Sequence, residues 1–309
     1  MHIRIGTRGS ELALAQARMA AEALCAAHEG LSYELCIIST AGDQRTDIPL
    51  NQVNAATGTG DKGVFIATIE EALARGEIDC AVHSLKDMPG VLDARFALAA
   101  VLPREEIQDV LVVKPGTDWA NMTIATGSVR RAHLVQSFFG GKARTVPVRG
   151  NVATRLRKLA ENAEVDATLL ARAGLNRLGY ARDFIETAGM TLAVEGLPVS
   201  EFPPALGQGA IALETRRNDP VFEPLVAAVN DAATGRCIRC ERHFLYLLQA
   251  DCSVPVGGYA SVSADGGLTF YVCYYAADGR RITLTEHGSE PEAVAAAAHA
   301  ALQQRLAQD

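Results

Sequence analysis

Short apolar runs alternate with polar turns and helix-period segments through the first half of the chain. His2 to Gly6 leads through Thr7-Arg8-Gly9-Ser10 into a segment whose Leu12, Ala15, Met19, Ala23 and Ala26 recur at helical spacing. Leu35 to Ser39 reads as a second strand, Val64 to Arg75 as a helix ending near Gly76, and Ile78 to Val82 as a third strand. After a crossing segment, Pro103 to Asp109, the pattern resumes at Val110 to Lys114. Thr123 to Thr126 then enters Gly127-Ser128 and a helix from Val129, and Thr145 to Val148 enters Arg149-Gly150-Asn151 and a helix from Val152. Such alternation predicts an α/β protein with mostly parallel sheets, covered by helices on both faces. The Pro- and Gly-rich stretch Phe202 to Ala210 predicts a hinge that returns the chain to a sheet through Ile211 to Glu214. Beyond Pro220 the order changes. Helical stretches at Phe222 to Val229 and Arg236 to Gln249 precede strands at Val256 to Val262, Leu268 to Tyr275 and Arg281 to Thr285, then an alanine-rich helix from Pro291 to Ala307. That is the pattern of a separate α+β domain of ~90 residues.

Composition narrows the class. A chain of 309 residues, 49% hydrophobic and 21% charged, can bury two or three cores. No run approaches the ~18 apolar residues of a membrane span. Arg4, Arg8, Glu11 and Arg18 stand where a signal peptide would be apolar, so a cytoplasmic protein without a membrane partner is expected. Seven scattered cysteines, an odd number, fit reduced thiols rather than a disulfide framework. A net charge of -7 argues against nucleic acid as a partner. Only five of the 29 basic residues are lysines, and eight Arg and two Lys between Asn121 and Arg177 face only Glu161, Glu164 and Asp166. The planar fork of Arg grips carboxylate or phosphate, so this cluster points to a small polyanion.

The candidate chemistry lies where strands end. The apolar run Ile78 to Val82 stops at His83-Ser84-Leu85-Lys86-Asp87, which reads as a strand delivering polar side chains to a loop. Arg8, Arg130, Arg131, Arg149 and Arg155 stand at three further junctions, where the free N–H groups of a helix start already favour anions. Cys252, in the turn Asp251 to Gly258, is a loop thiol open to three roles: nucleophile, ligand or covalent attachment point. A zinc site from Cys237, Cys240, His243 and Cys252 is disfavoured, because the first three would diverge around one helix. A Cys-His pair using His83 or His243 stays open at this level.

Six motifs, in order, resemble the porphobilinogen deaminases, also called hydroxymethylbilane synthases. They are Thr7 to Leu14 (TRGSELAL), His83 to Pro89 (HSLKDMP), Gly127 to Arg131 (GSVRR), Arg149 to Leu156 (RGNVATRL), Leu206 to Ala210 (LGQGA) and Cys252 to Gly257 (CSVPVG). The resemblance covers most of the chain. It implies head-to-tail condensation of four porphobilinogen molecules with loss of ammonia, then hydrolysis to the linear tetrapyrrole of haem biosynthesis. It also implies a dipyrromethane cofactor joined by a thioether to Cys252, no metal, and a cytoplasmic monomer.

Carried over residue by residue, Ser84, Lys86, Thr126, Ser128, Arg130 and Arg131 are expected to hold the cofactor. Arg8, Ser10, Arg149, Arg155, Arg177 and Gln208 are expected to hold substrate and growing chain, with Lys62 in a loop beside them. Asp87 is the expected catalytic carboxylate: loss of ammonia leaves an azafulvene whose positive charge is shared with the pyrrole nitrogen, and an anion near the ring N–H groups stabilises it. His83 is expected to be structural. The implied fold has two periplasmic-binding-protein-like domains flanking a cleft, residues 1–102 with 200–218 and residues 103–199. A smaller C-terminal domain, 219–309, carries the cysteine.

Three departures stand out. The Gly-rich loop Asn51 to Gly63 is about six residues longer than usual and has Gln52 where lysine is common, Gly127 replaces a usual serine, and Asp251 replaces a usual glycine. The rival reading is a cytosolic dicarboxylate-binding protein of similar fold without catalysis, which would need neither Cys252 nor Asp87.

Overall fold

The computed structural model describes residues 1–39, 66–249 and 254–308; Lys62, the loop from 51 to 63, Asp251 and Cys252 lie outside the described residues. A first sheet is built from β1 (His2–Thr7), β2 (Ser32–Ile37), β3 (Cys80–Ser84) and β4 (Phe96–Val101). A second contains β5 (Asp109–Val113), β6 (Thr123–Ala125), β7 (Arg144–Val146), β8 (Ala167–Ala171), β9 (Phe184–Thr187) and β10 (Met190–Gly196). The chain then returns through β11 (Ile211–Arg216) to the first sheet.

The two sheets share one plan. Their orders are β2-β1-β3-β11-β4 and β7-β6-β8-β5-β10-β9. In each, the strand that arrives from the other unit, β11 or β5, is inserted antiparallel to both neighbours. The expected mostly parallel sheets are therefore mixed, because a chain crossing between units enters from the opposite end. Helices cover both faces as expected. In the first sheet α1 (Glu11–Ala27) packs on one face through Ala17, Ala20, Ala21 and Leu24, and α2 (Ala67–Ala74) on the other through Ile69, Ala72 and Leu73. In the second, α3 (Val129–Phe138) contributes Leu134 and Val135 to one core, and α4 (Val152–Glu161) and α5 (Arg172–Arg177) contribute Leu156, Leu159 and Leu175 to the other.

The buried side of α1 differs from the expected stripe. Gln16, Ala17, Ala20, Ala21 and Leu24 are buried, while Met19 is 41% exposed. Small side chains let the helix lie close on the sheet, a preference that counting large apolar residues does not register. The strands β4, β8, β9 and β10 had no counterpart in the sequence reading, and β3 runs two residues further than expected, through His83 and Ser84.

Beyond β11, α6 (Phe222–Ala227) packs on the first sheet, with Val226 in its core. Helix α7 (Ala232–Leu247) then leads to a three-stranded antiparallel sheet, β12 (Val256–Val262), β13 (Leu268–Tyr275) and β14 (Arg281–Gly288), and to α8 (Pro291–Leu306). Phe244, Phe270, Val294 and Leu302 form its core, which also takes in Leu206 of the hinge, while Cys273 and Tyr275 join Phe202 in the core of the second sheet. Glu241 of α7, wholly buried, joins the crossing before β5, the hinge and β12. It accepts from Arg104 at 2.6 and 3.0 Å, from the Gly207 amide at 2.6 Å and from the Ala260 amide at 2.8 Å.

Candidate active site

Parallel pairing decides where the polar junctions meet. Because β1 lies parallel to β3, the turns after them, Arg8 to Ser10 and Leu85 to Asp87, lie along one edge of the first sheet. Because β6 lies parallel to β7, Thr126 to Ser128 and Arg149 to Asn151 share an edge of the second. Ser10 caps α1 by accepting from the Ala13 amide at 3.3 Å, Ser128 caps α3 from Arg131 at 3.4 Å, and Asn151 caps α4 from Thr154 at 2.8 Å. Thr126 accepts from the Ser128 amide at 3.2 Å. A Cβ on Gly127 would lie 2.7 Å from the Val148 carbonyl oxygen, so the two junctions touch and leave no room for a side chain at this position. Ser10, Asn151, Thr154 and Arg157 line a cavity of about 470 Å³ between the starts of α1 and α4.

A buried ionic cluster lies deeper, where the sheets and the hinge meet. Arg130 and Arg131, each 6% exposed, both bind Asp109 at the start of β5. Arg130 donates to Asp109 Oδ2 at 2.8 Å and to the Pro203 carbonyl at 2.5 Å; Arg131 donates to both carboxylate oxygens and to the Leu169 carbonyl at 2.8 Å. Gln208 donates to Asp109 Oδ1 at 2.8 Å and to the Ile107 carbonyl at 2.7 Å, and accepts from Lys86 Nζ at 3.2 Å. The two guanidiniums hold the Asp109 carboxyl well below the usual carboxylate range, against the pull of burial. Burial, helped by Arg131 and Arg130, lowers the Lys86 ammonium to about 8, with Asp87 and Asp109 opposing. Three cations thus surround one buried anion, and the surplus suits a polycarboxylate.

The remaining expected residues are spread around this cluster. Asp87 is exposed in the single 3-10 turn after β3. Arg155 donates from Nε to the Gly150 carbonyl at 2.9 Å. Burial lowers its guanidinium to about 10, Arg131 and Arg149 push the same way and Asp87 opposes, so Asp87 of the first sheet acts electrostatically on Arg155 of the second. Arg8 and Arg149 are half-buried in their turns. Ser84 donates to Gln16 Oε1 at 3.0 Å. Arg177, at the end of α5, is turned to the hinge, where it donates to the Gly209 carbonyl at 2.6 Å. His83 is buried in β3 with its Nε2 3.1 Å from Glu214 Oε2.

Sequence reasoning missed Asp109 and Gln16. One signal was present for Asp109: adjacent arginines at the start of a packed helix need an acid partner, and Asp109 directly precedes an unbroken apolar strand. Among the described residues no group of three or more His, Cys, Asp or Glu is arranged to hold a metal, and Cys237 and Cys240 are buried in the core beside α8. No described helix is long and apolar enough to cross a membrane. Near the undescribed residues 250–253, Gly257 of β12 is pressed on the cluster, a Cβ there lying 2.9 Å from the Pro203 carbonyl oxygen and 3.1 Å from Arg130 Cδ.

Comparison with known proteins places this geometry in a family. Residues 3–223 match the family described as porphobilinogen deaminase, dipyromethane cofactor binding domain, and residues 235–304 match porphobilinogen deaminase, C-terminal domain. The chain is 41% identical over 308 residues to a porphobilinogen deaminase of Nitrobacter hamburgensis, covering 97% of this chain and 92% of that protein. It is 38% identical over 298 residues to that of a Geobacillus species, covering 94% and 90%. The chloroplastic porphobilinogen deaminase of Pisum sativum is 39% identical over 291 residues, covering 92% and 74%. Among solved structures, the methionine binding protein MetQ aligns over 74% of this chain and 88% of its own, at 13% identity and a TM-score of 0.41.

Proposed function

The chain belongs to the porphobilinogen deaminase family, and from that membership we propose how its residues divide the reaction among them. The activity is the stepwise deaminative head-to-tail polymerisation of four porphobilinogen molecules, followed by hydrolytic release of the linear tetrapyrrole. The observation that carries the assignment of roles is the buried cluster: Arg130, Arg131 and Lys86 converge around Asp109 with positive charge in surplus. That surplus fits a dipyrromethane, which brings an acetate and a propionate on each of its two rings. When bound, this group supplies the primer to which the first porphobilinogen unit is joined.

Arg130, Arg131, Lys86, Ser84, Ser128 and Thr126 hold the cofactor's carboxylates, and Cys252 carries its thioether. Support for that attachment is the place of Gly257, five residues on, against Arg130. Arg8, Ser10, Arg149 and Arg155 receive the carboxylates of incoming substrate, with Arg177 and Gln208 behind them at the hinge; Lys62 is assigned to the same task. Asp87 stabilises the cation that forms as ammonia leaves, by standing near the pyrrole N–H groups on the side of the cleft opposite Arg155. We divide the chain into 1–102 with 200–230, 103–199, and 231–309; α6 packs on the first sheet, which moves the last boundary from 219 to about 230. A cytoplasmic monomer is the state we infer.

Intact mass spectrometry under denaturing conditions, coupled to turnover assays, tests these roles. Both the parent chain and Asp87→Asn are expected to retain two pyrrole units on Cys252, with turnover in the variant lower by at least ~100-fold. An unmodified Cys252 in the parent chain, or near-normal turnover in the variant, would remove the corresponding role.

A further inference from the structure

Asp109 has no part in the reaction as set out above, yet it is wholly buried and accepts four hydrogen bonds from three side chains. A carboxylate has about four lone-pair sites, so this one is saturated and has no capacity left to accept a proton in turnover. Its partners are constrained in turn. Both N–H donors of Gln208 are taken, by Asp109 Oδ1 and the Ile107 carbonyl, so its oxygen has to face Lys86 Nζ. Arg131 spends three donors on Asp109 and Leu169, and Arg130 spends two on Asp109 and Pro203. Each guanidinium therefore keeps donors to spare, in directions fixed by those bonds.

We propose that Asp109 is the positioning residue of the cofactor cradle: its carboxylate sets the directions of Arg130 and Arg131 and, through the fixed Gln208 amide, of Lys86. One anion thereby aligns cations from both sheets with the hinge. The inference rests on the reading of those three cations as the grip on the cofactor. The charged groups acting on Lys86 are Arg131 and Arg130, which disfavour its proton, and Asp87 and Asp109, which favour it. Removing the Asp109 charge, or the amide between, therefore moves the Lys86 titration downward.

The test uses the full-length chain labelled with lysine side-chain 15N, in which five lysines keep the spectrum resolvable. Two variants are compared with the parent for the Lys86 titration midpoint and for the covalently retained pyrrole units by intact mass. Asp109→Asn is expected to lower the midpoint by about one pH unit and to cut pyrrole retention at least tenfold. Gln208→Leu leaves the arginine pairs in place; it is expected to lower the midpoint by about half a unit while pyrrole units are still retained. An unmoved Lys86 midpoint in Gln208→Leu overturns the proposal, and so does a folded Asp109→Asn with full retention. If Asp109→Asn does not fold, Gln208→Leu alone decides. A parent chain without pyrrole units would sink the attachment at Cys252 instead, while the midpoint would still report on the relay.

Discussion

Lys86 loses its proton from the folded chain as the pH rises through about 8, well below an ordinary lysine, because burial and two arginines outweigh its acidic neighbours. A carboxylate bound against it favours the charged form. Below pH 8 the ammonium is already present and binding takes up little proton; above pH 8 each binding event has to recharge it. Carboxylate affinity should therefore be full below pH 8 and fall above it, by up to about tenfold per pH unit until the bound-state midpoint is reached. Calorimetric titration of Cys252→Ser, whose cradle carries no attached cofactor, with porphobilinogen from pH 7 to about 9.5 reads this directly, and adding Lys86→Arg should flatten the profile. The candidate site itself was legible wherever a strand end announced it: Arg8, Lys86, Arg130 and Arg149 each follow an apolar run. Asp109 was not, since its partners lie 21 and 22 residues onward and only the fold brings them to it.

At the scale of elements, α7 is the piece that fastens the crossings. Its Glu241 is wholly buried, and every contact it makes is a donor: the Arg104 fork, the Gly207 amide and the Ala260 amide. Glu241→Gln places an amide NH2 against those donors and leaves Arg104 without its counter-charge. Breaking a buried pair in this way costs about 3–5 kcal/mol, so the melting temperature by circular dichroism should fall by roughly 5–10 °C. A variant within a degree of the parent would show that the three contacts are dispensable. Elements with distinct punctuation were readable from sequence: α3 and α4 begin where Ser128 and Asn151 predict, and β12 and β13 match their apolar runs. Strand β8, Ala167 to Ala171, is five residues of alanine, threonine and leucine that suit a helix equally well, and only its place between β6 and β5 makes it a strand. The stripe on α1 misled for a related reason, since closeness to the sheet selected alanines over Met19.

For the whole molecule, the topology predicts where it can be cut. A fragment ending near residue 230 keeps every strand of the first two sheets, whereas one ending near 200 lacks β11 and opens the first sheet between β3 and β4. The longer fragment should give a dispersed amide NMR spectrum with slow-exchanging β3 amides. The shorter should be protease-sensitive, and equal protection of the two would contradict the place given to β11. The inserted strands also bear on how the molecule accommodates a lengthening product. Each crossing chain runs straight into the middle of a sheet, where β5 or β11 is held by ladders on both sides, so bending between the two bodies is confined to the short crossings themselves, residues 102–108 and 197–210. A lengthening product is therefore expected to find its room at those two crossings and at the turns along the strand ends, with both sheets unchanged.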